Sequence, residues 1–235
     1  NVNDMVTEVE GETITNLEAV VKVSSNLSFD TVKYTADSKI KNLIFKNFFK
    51  GQSLKSDELN LKVDEHRMTV LGNISLNSAF GHLTWVKNLS NQGDFQSRYN
   101  ISATSDDFYI LQENNEYLPG LFKDNVKGRI GGQFQYTVFS DVESTLKVDL
   151  DLTNTQLSMP HLGWKKILGD TGQAKALNNF DKNIISEMPS FEISAGDLFV
   201  RGSVQYTTSS GRIKKINFYR FSYGKADFNG VLILQ

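Results

Sequence analysis

Asp149 and Asp151 stand two positions apart in TLKVDLD. On a strand that spacing puts both carboxylates on one face, about 7 Å apart. A general acid and base at that separation could work across a glycosidic bond, so a carbohydrate-active enzyme is one expectation. The competing expectation is a solvated face, because Lys147 shares that side. His66, His82 and His161 are the other titratable candidates, far apart in the sequence. No G-x-S-x-G, H-E-x-x-H, phosphate loop or dinucleotide fingerprint occurs. With no cysteine in the chain, a disulfide framework, a thiolate zinc site and a cysteine nucleophile are excluded. GRIGG (128–132) precedes no helical pattern, so its glycines suit a strand bend better than a phosphate cradle. Four N-x-[ST] sequons, at Asn26, Asn73, Asn88 and Asn100, carry no weight, since this composition gives about three by chance. The sequence predicts no catalytic residue, no metal and no cofactor.

The elements that would position any site are strands. Val142, Leu146, Val148, Leu150 and Leu152 alternate with charged residues; Ile130, Phe134, Tyr136 and Val138 alternate with Gln133, Gln135 and Thr137. This period of two marks half-buried strands. The same pattern runs through 59–63 and 95–103. Further strands are predicted near 18–24, 39–46, 67–76, 80–87, 189–194, 197–206, 212–221 and 226–234. Ser105 or Asp106 can cap a helix that Pro119 and Gly120 would stop, so a short helix is expected near 106–117. A second short helix or turn is expected near 163–168.

HRMTVLGNISLNSAFGHL (66–83) aligns without gaps on GDLFVRGSVQYTTSSGRI (196–213), with Gly72 on Gly202 and Gly81 on Gly211. The echo predicts a repeated strand-turn-strand unit, with sub-repeats over 55–105 and 185–235, or a chance likeness of two hairpins. Nearly every strand has one apolar face, and few helices are available to cover them. Such faces must be buried. Either the sheet closes into a sandwich or barrel with a dry core, or it stays open as a trough for an apolar ligand.

A net charge of −2 gives no basic field for nucleic acid. No window approaches the apolar length that spans a membrane as a helix. NVNDMVTEVEGE has no basic or apolar region of a signal peptide, and the chain reads as a segment of something longer.

One stretch breaks the alternation: DLTNTQLSMPHLGWKKILGDTG (151–172). Asp151, Leu152, Thr153, Leu157, Pro160, Leu162, Gly163, Trp164, Lys166, Gly169 and Gly172 resemble a segment of the AsmA-like family, in its YhdP-type members. DLFVRGSVQY and FSYGKADFNGVLIL, with Gly202, Gly224, Asp227 and Gly230, resemble that family's closing strands. The resemblance covers about residues 55–235; Ile167 departs from the family's proline.

The resemblance implies one segment over 1–235: an elongated, curved antiparallel sheet forming an open hydrophobic groove. It implies a non-enzymatic protein of the bacterial periplasm, attached to the inner membrane through a segment not present here. Its partner would be phospholipid moving towards the outer membrane. The expected groove lining is Met68, Val70, Ile74 and Leu76; Phe134, Tyr136, Leu146, Val148 and Leu150; and Leu198, Val200, Val204 and Tyr206. The expected rim and turn are Gly163, Trp164 and Lys166, with the lysines of the turn either solvated or meeting a lipid phosphate. The alternatives are a self-contained β-sandwich scaffold or adhesion module with a dry core, and the carbohydrate enzyme above.

Overall fold

A computed structural model describes residues 8–23, 29–49, 52–76, 79–90, 93–106, 125–160, 163–207 and 211–234. The protein is mainly antiparallel β, with no α-helix among the described residues. The helix expected near 106–117 falls outside them, save Asp106, which ends a strand. The chain divides into two compact units, Asn1–Asn100 and Ile101–Gln235.

The first unit holds β1 (Glu8–Val23), β2 (Phe29–Phe49), β3 (Gln52–Asp64), β4 (Arg67–Leu76) and β5 (Ala79–Asn88), each paired antiparallel with the next. The division falls within β6 (Ser97–Asp106). Register decides which residues share a face, because directly opposed residues point the same way. Leu61 opposes Val70, which opposes Trp85; Ile40 opposes Leu59, which opposes Gly72. Leu43, Leu59 and Val70 form a buried cluster on this face, joined by Ile40, Phe45, Met68 and Ile74. The other face carries exposed ion pairs, Lys39–Glu58 at 3.4 Å and Lys62–Asp37 at 3.5 Å.

The second unit holds β7 (Val126–Val138), β8 (Glu143–Asp151), β9 (Thr155–Met159), β10 (Trp164–Lys166), β11 (Gly172–Asp181), β12 (Ile184–Ala195), β13 (Leu198–Tyr206), β14 (Ile213–Tyr223) and β15 (Ala226–Ile233). Its main sheet runs β7-β8-β11-β12-β13-β14-β15. One apolar row crosses it from Phe134 through Val148, Ala176, Phe191 and Gly202 to Phe218. The next runs from Leu150 through Ala174, Ile193, Val200 and Phe221 to Phe228. Phe191, Phe218, Phe221 and Phe228 form an aromatic ladder along it, with neighbouring ring centroids 4.8 to 6.5 Å apart.

The two aligned hairpins of the sequence echo become β4–β5 in one unit and β13–β14 in the other. Their matched glycines serve the same packing purpose. A Cβ on Gly72 would stand 2.7 Å from the Leu59 side chain, and one on Gly202 would strike the Asn217 carbonyl and the Phe191 ring.

The odd stretch is a small second sheet. The front of β7 (126–128) pairs with β9, and β9 pairs with β10, so β7 serves both sheets in turn. The helix or turn expected near 163–168 is corrected: residues 164–166 are a strand, with turns on either side.

Candidate functional site

The apolar face of each main sheet is the candidate site, and burial separates its residues into two groups. Met68, Ile74 and Leu76 in the first unit are half-buried, as are Phe134, Tyr136, Leu146, Val148, Leu150 and Tyr206 in the second. A strand side chain beneath a second sheet would be nearly sealed from water; these are not. Val70 is buried within its own cluster beside Trp85. The Trp85 ring stacks on Tyr99 at 5.2 Å, and its Nε1 is buried without an acceptor among the described residues. Leu198, Val200 and Val204 are buried too. For the first two the cause is the β9–β10 flap.

Strand parity shows how the flap is built. Leu157 opposes both Val126 and Lys166, and Met159 opposes Trp164. All five therefore lie on one side of the small sheet, while Gln156, Ser158 and Lys165 lie on the other. The first side faces the main sheet. Trp164, only 2% exposed, packs with Ala195, Leu198 and Val200, with Leu157, Met159, Phe221 and Tyr223 around them. Its Nε1 donates to Asp197 Oδ1 at 3.2 Å. The Tyr223 hydroxyl donates to the Gly163 carbonyl at 3.3 Å. Behind the flap, Val126, Ile130 and Leu152 form a second buried cluster with Leu150 and Ala174 against it.

The rim assignment is therefore corrected for two of its three residues. Gly163 is exposed at a turn, where its φ of 63° favours glycine. Trp164 is core. Lys166 is 1% exposed and is neither solvated nor placed to meet a headgroup, whereas its neighbour Lys165 is exposed. The Lys166 ammonium donates to the carbonyls of Thr155 at 2.9 Å, Ile167 at 3.2 Å and Thr153 at 3.3 Å. Burial pulls its pKa below the ordinary lysine value, while Asp170 and Asp151 pull the other way.

The flap's backbone explains why an ammonium is held there. Ser158 N–H donates to Asn125 C=O and Arg129 N–H to Asn154 C=O. That bonding pattern turns the Thr155 carbonyl away from β7, towards the β10 side. But β10 ends at Lys166, so no strand reaches that carbonyl. The lysine Nζ takes the missing donor's place. Its stem crosses the first residue of β11: a Cβ on Gly172 would stand 2.6 Å from Lys166 Cε. Asp151 Oδ1 accepts the Thr153 N–H at 2.9 Å and fixes the turn that presents the Thr153 carbonyl. The Asp151 carboxyl is held below its ordinary range by the Thr153 hydroxyl first, then by the Thr153 N–H, with a smaller contribution from Lys166.

The other candidate groups are not drawn together. Asp149 accepts from Gln173 Nε2 at 3.0 Å and pairs with Lys175 at 3.6 Å on the polar face. His66 lies in the β3–β4 turn and lines a small polar cleft with Arg67, Asn88 and Asp94. His82, on β5, meets Asn73 Oδ1 at 3.0 Å, and His161 lies outside the described residues. Among the described residues, no group of three or more His, Cys, Asp or Glu side chains is placed to hold a metal ion. Ser203, on the side of β13 opposite Val200 and Val204, is buried as well: it accepts from Asn217 Nδ2 at 3.1 Å and from the Tyr219 hydroxyl at 2.9 Å.

The residues that sequence reasoning missed are those the flap lands on or ties to: Ala195, Asp197 and Tyr223, with Thr155 and Met159 of the flap itself. One signal was present. T-x-L-x-M and W-K-K each alternate inward and outward, a pattern too short to stand out beside Pro160 and Gly163.

No family model, curated protein or solved structure matches the chain.

Proposed function

We propose that this chain is a non-enzymatic lipid-shielding segment, in which acyl chains of a phospholipid lie on the open apolar sheet faces while headgroups stay in water. The observation that carries this reading is the burial of the faces themselves. Phe134, Val148, Ala176, Phe191 and Phe218 of one continuous row are only half-buried, and no second sheet of comparable extent packs on them among the described residues. An apolar face of that size in water calls for an apolar occupant. Each methylene laid on it contributes about 0.8 kcal/mol, spread along the face and not concentrated at one point. A phospholipid can therefore be held without being fixed in a single register.

The resemblance of the 151–172 stretch and the closing strands to YhdP-type AsmA-like proteins supports the same reading. By that analogy the segment belongs to an inner-membrane-anchored protein of the periplasm that carries phospholipid towards the outer membrane. Native mass spectrometry of the purified chain tests the proposal. Phospholipid should co-purify and be lost in Val148→Arg, whose guanidinium would interrupt the row while snorkelling to water. A lipid-free chain that also takes up no phospholipid from vesicles would refute it.

A further inference from the structure

We propose that the β9–β10 flap is a fixed end stop on the apolar face of the second unit. An acyl chain occupies the strip bearing Phe134, Leu146 and Val148 and does not pass beneath Trp164. The inference rests on the lipid-holding reading above and adds a boundary to it: the face is not an uninterrupted track.

Three observations carry it. The first is occupancy. Ala195 and Leu198 are sealed by the flap, so that part of the face has no apolar surface left to offer. Away from the flap the face opens strand by strand: along β8 Leu152 is buried and Leu150, Val148 and Leu146 are half-buried, and along β12 Ala195 is buried and Ile193 and Phe191 are half-buried, whereas on β13 burial continues through Val200 to Val204.

The second is attachment on both sides. Along one side, β9 is hydrogen-bonded to β7, and the Thr155 hydroxyl donates to the Arg129 carbonyl at 2.9 Å. On the other, Trp164 Nε1 reaches Asp197 between β12 and β13, and the Gly163 carbonyl takes the Tyr223 hydroxyl of β14. A lid that opens has one hinged side and one free side; this flap is fastened at both.

The third is the Lys166 ammonium, which ties β9, the turn before it and the residue after β10 through three carbonyls. To lift the flap, the ammonium would have to leave all three carbonyls together, including the fully buried bond to Thr155. Trp164 and Lys166 are thus positioning residues that set where the occupied strip ends.

Site-selective quenching by brominated acyl chains tests the boundary, since bromine quenches an indole only at close approach. The chain has two tryptophans, Trp85 and Trp164. In Trp85→Phe, Trp164 reports the covered end. In Trp85→Phe/Trp164→Phe/Leu146→Trp a single indole reports the open strip, and Phe134→Trp in the same background serves if the first fails to fold by circular dichroism. Each chain is mixed with vesicles of phosphatidylcholine brominated in mid-chain. The open-strip indole should lose most of its emission and Trp164 should keep its own. If Trp164 is quenched as strongly as the open-strip indole, or alone, lipid passes under the flap and the end stop is overturned while the lipid-holding reading survives. If neither is quenched, no lipid lies on this face, and both readings fall together.

Discussion

Trp164→Ala puts the flap's construction to the test most directly. The indole is 2% exposed, so nearly all of its surface is withdrawn from water. A tryptophan buries about 150–250 Å². At about 25 cal/mol per Å² that is about 4–6 kcal/mol, an upper bound because unfolded chains already bury part of it. The measured range for such truncations, about 3–5 kcal/mol, is the expected loss. Asp197 also loses its indole donor, though its exposure lets water replace it. With urea slopes of about 1–3 kcal/mol per molar, the midpoint should fall by about 2 M. Far-UV circular dichroism against urea reads this without relying on the deleted fluorophore. Lys165→Ala, one residue on and facing outward, should leave the midpoint within about 0.5 kcal/mol. Equal, small effects from both variants would refute the inward-outward alternation of β10, and with it the account of the flap as a packed cover.

The two arginine substitutions on the apolar face should part company: Val148→Arg stays folded and loses lipid, whereas Val200→Arg, packed against Trp164, gives a strongly destabilised or insoluble chain. Gln205→Arg on the exposed side of β13 is the neutral control, since at Ser203 an arginine would displace the bonds to Asn217 and Tyr219; solubility and thermal melts decide. Lys166→Met keeps the stem's volume but leaves the Thr155 carbonyl without its donor, for an expected loss of about 1–3 kcal/mol in a urea melt. Gly172→Ala should be destabilising on the same assay, because the added Cβ meets Lys166 Cε, and less so when combined with Lys166→Met, whose chain end can move aside. The folded Asp151 carboxyl lies below its ordinary value of 3.8, so its contribution is present above that pH and lost as pH falls through the folded value. The urea midpoint of the native chain should therefore drop more steeply on acidification below 3.8 than that of Asp151→Asn.

Strand existence and facing were readable where long side chains alternate. Leu146, Val148 and Leu150 lie on one side of β8 and Lys147 on the other, as their spacing requires. β11 was not legible, although it is central, lying between β8 and β12. Its inward positions are Gly172, Ala174, Ala176 and Asn178, small or polar residues with little strand preference. They are small because space above them is taken: the Lys166 stem crosses Gly172, and Leu150 and Leu152 crowd Ala174. β9 and β10 were hidden for a different reason. Strands of five and three residues with a proline and a glycine between them offer too few alternations for a period to show. What sequence order could not carry at all was the partner of each flap residue, since Asp197 and Tyr223 lie 33 and 60 positions away from the groups they bond.

A lysine at an inward position of an apolar flap looks like a conflict between local chemistry and burial, and the backbone resolves it. The flap must fold back over the sheet from β7, and a strand that does so leaves its far edge without a neighbour. β10 supplies one for only three residues before the chain turns towards β11. Beyond that point the Thr155 carbonyl faces the dry side of the flap, where an unmet acceptor costs about 1–3 kcal/mol. Longer pairing would remove the problem only by moving the turn at 167–171 away from the start of β11, where Leu152 N–H must find Gly172 C=O. A side chain that starts on β10, runs under the flap and ends in several donors satisfies the acceptor without moving the turn. Lysine has that reach and three N–H bonds to spend on three carbonyls. Leucine or methionine fills the same volume and leaves the carbonyl bare. The glycine at 172 follows from the same choice, because the stem needs the room a side chain would take. Gly163, Trp164, Lys166 and Gly172 thus form a single mechanical solution: a turn, a cover, a pin and the clearance for the pin.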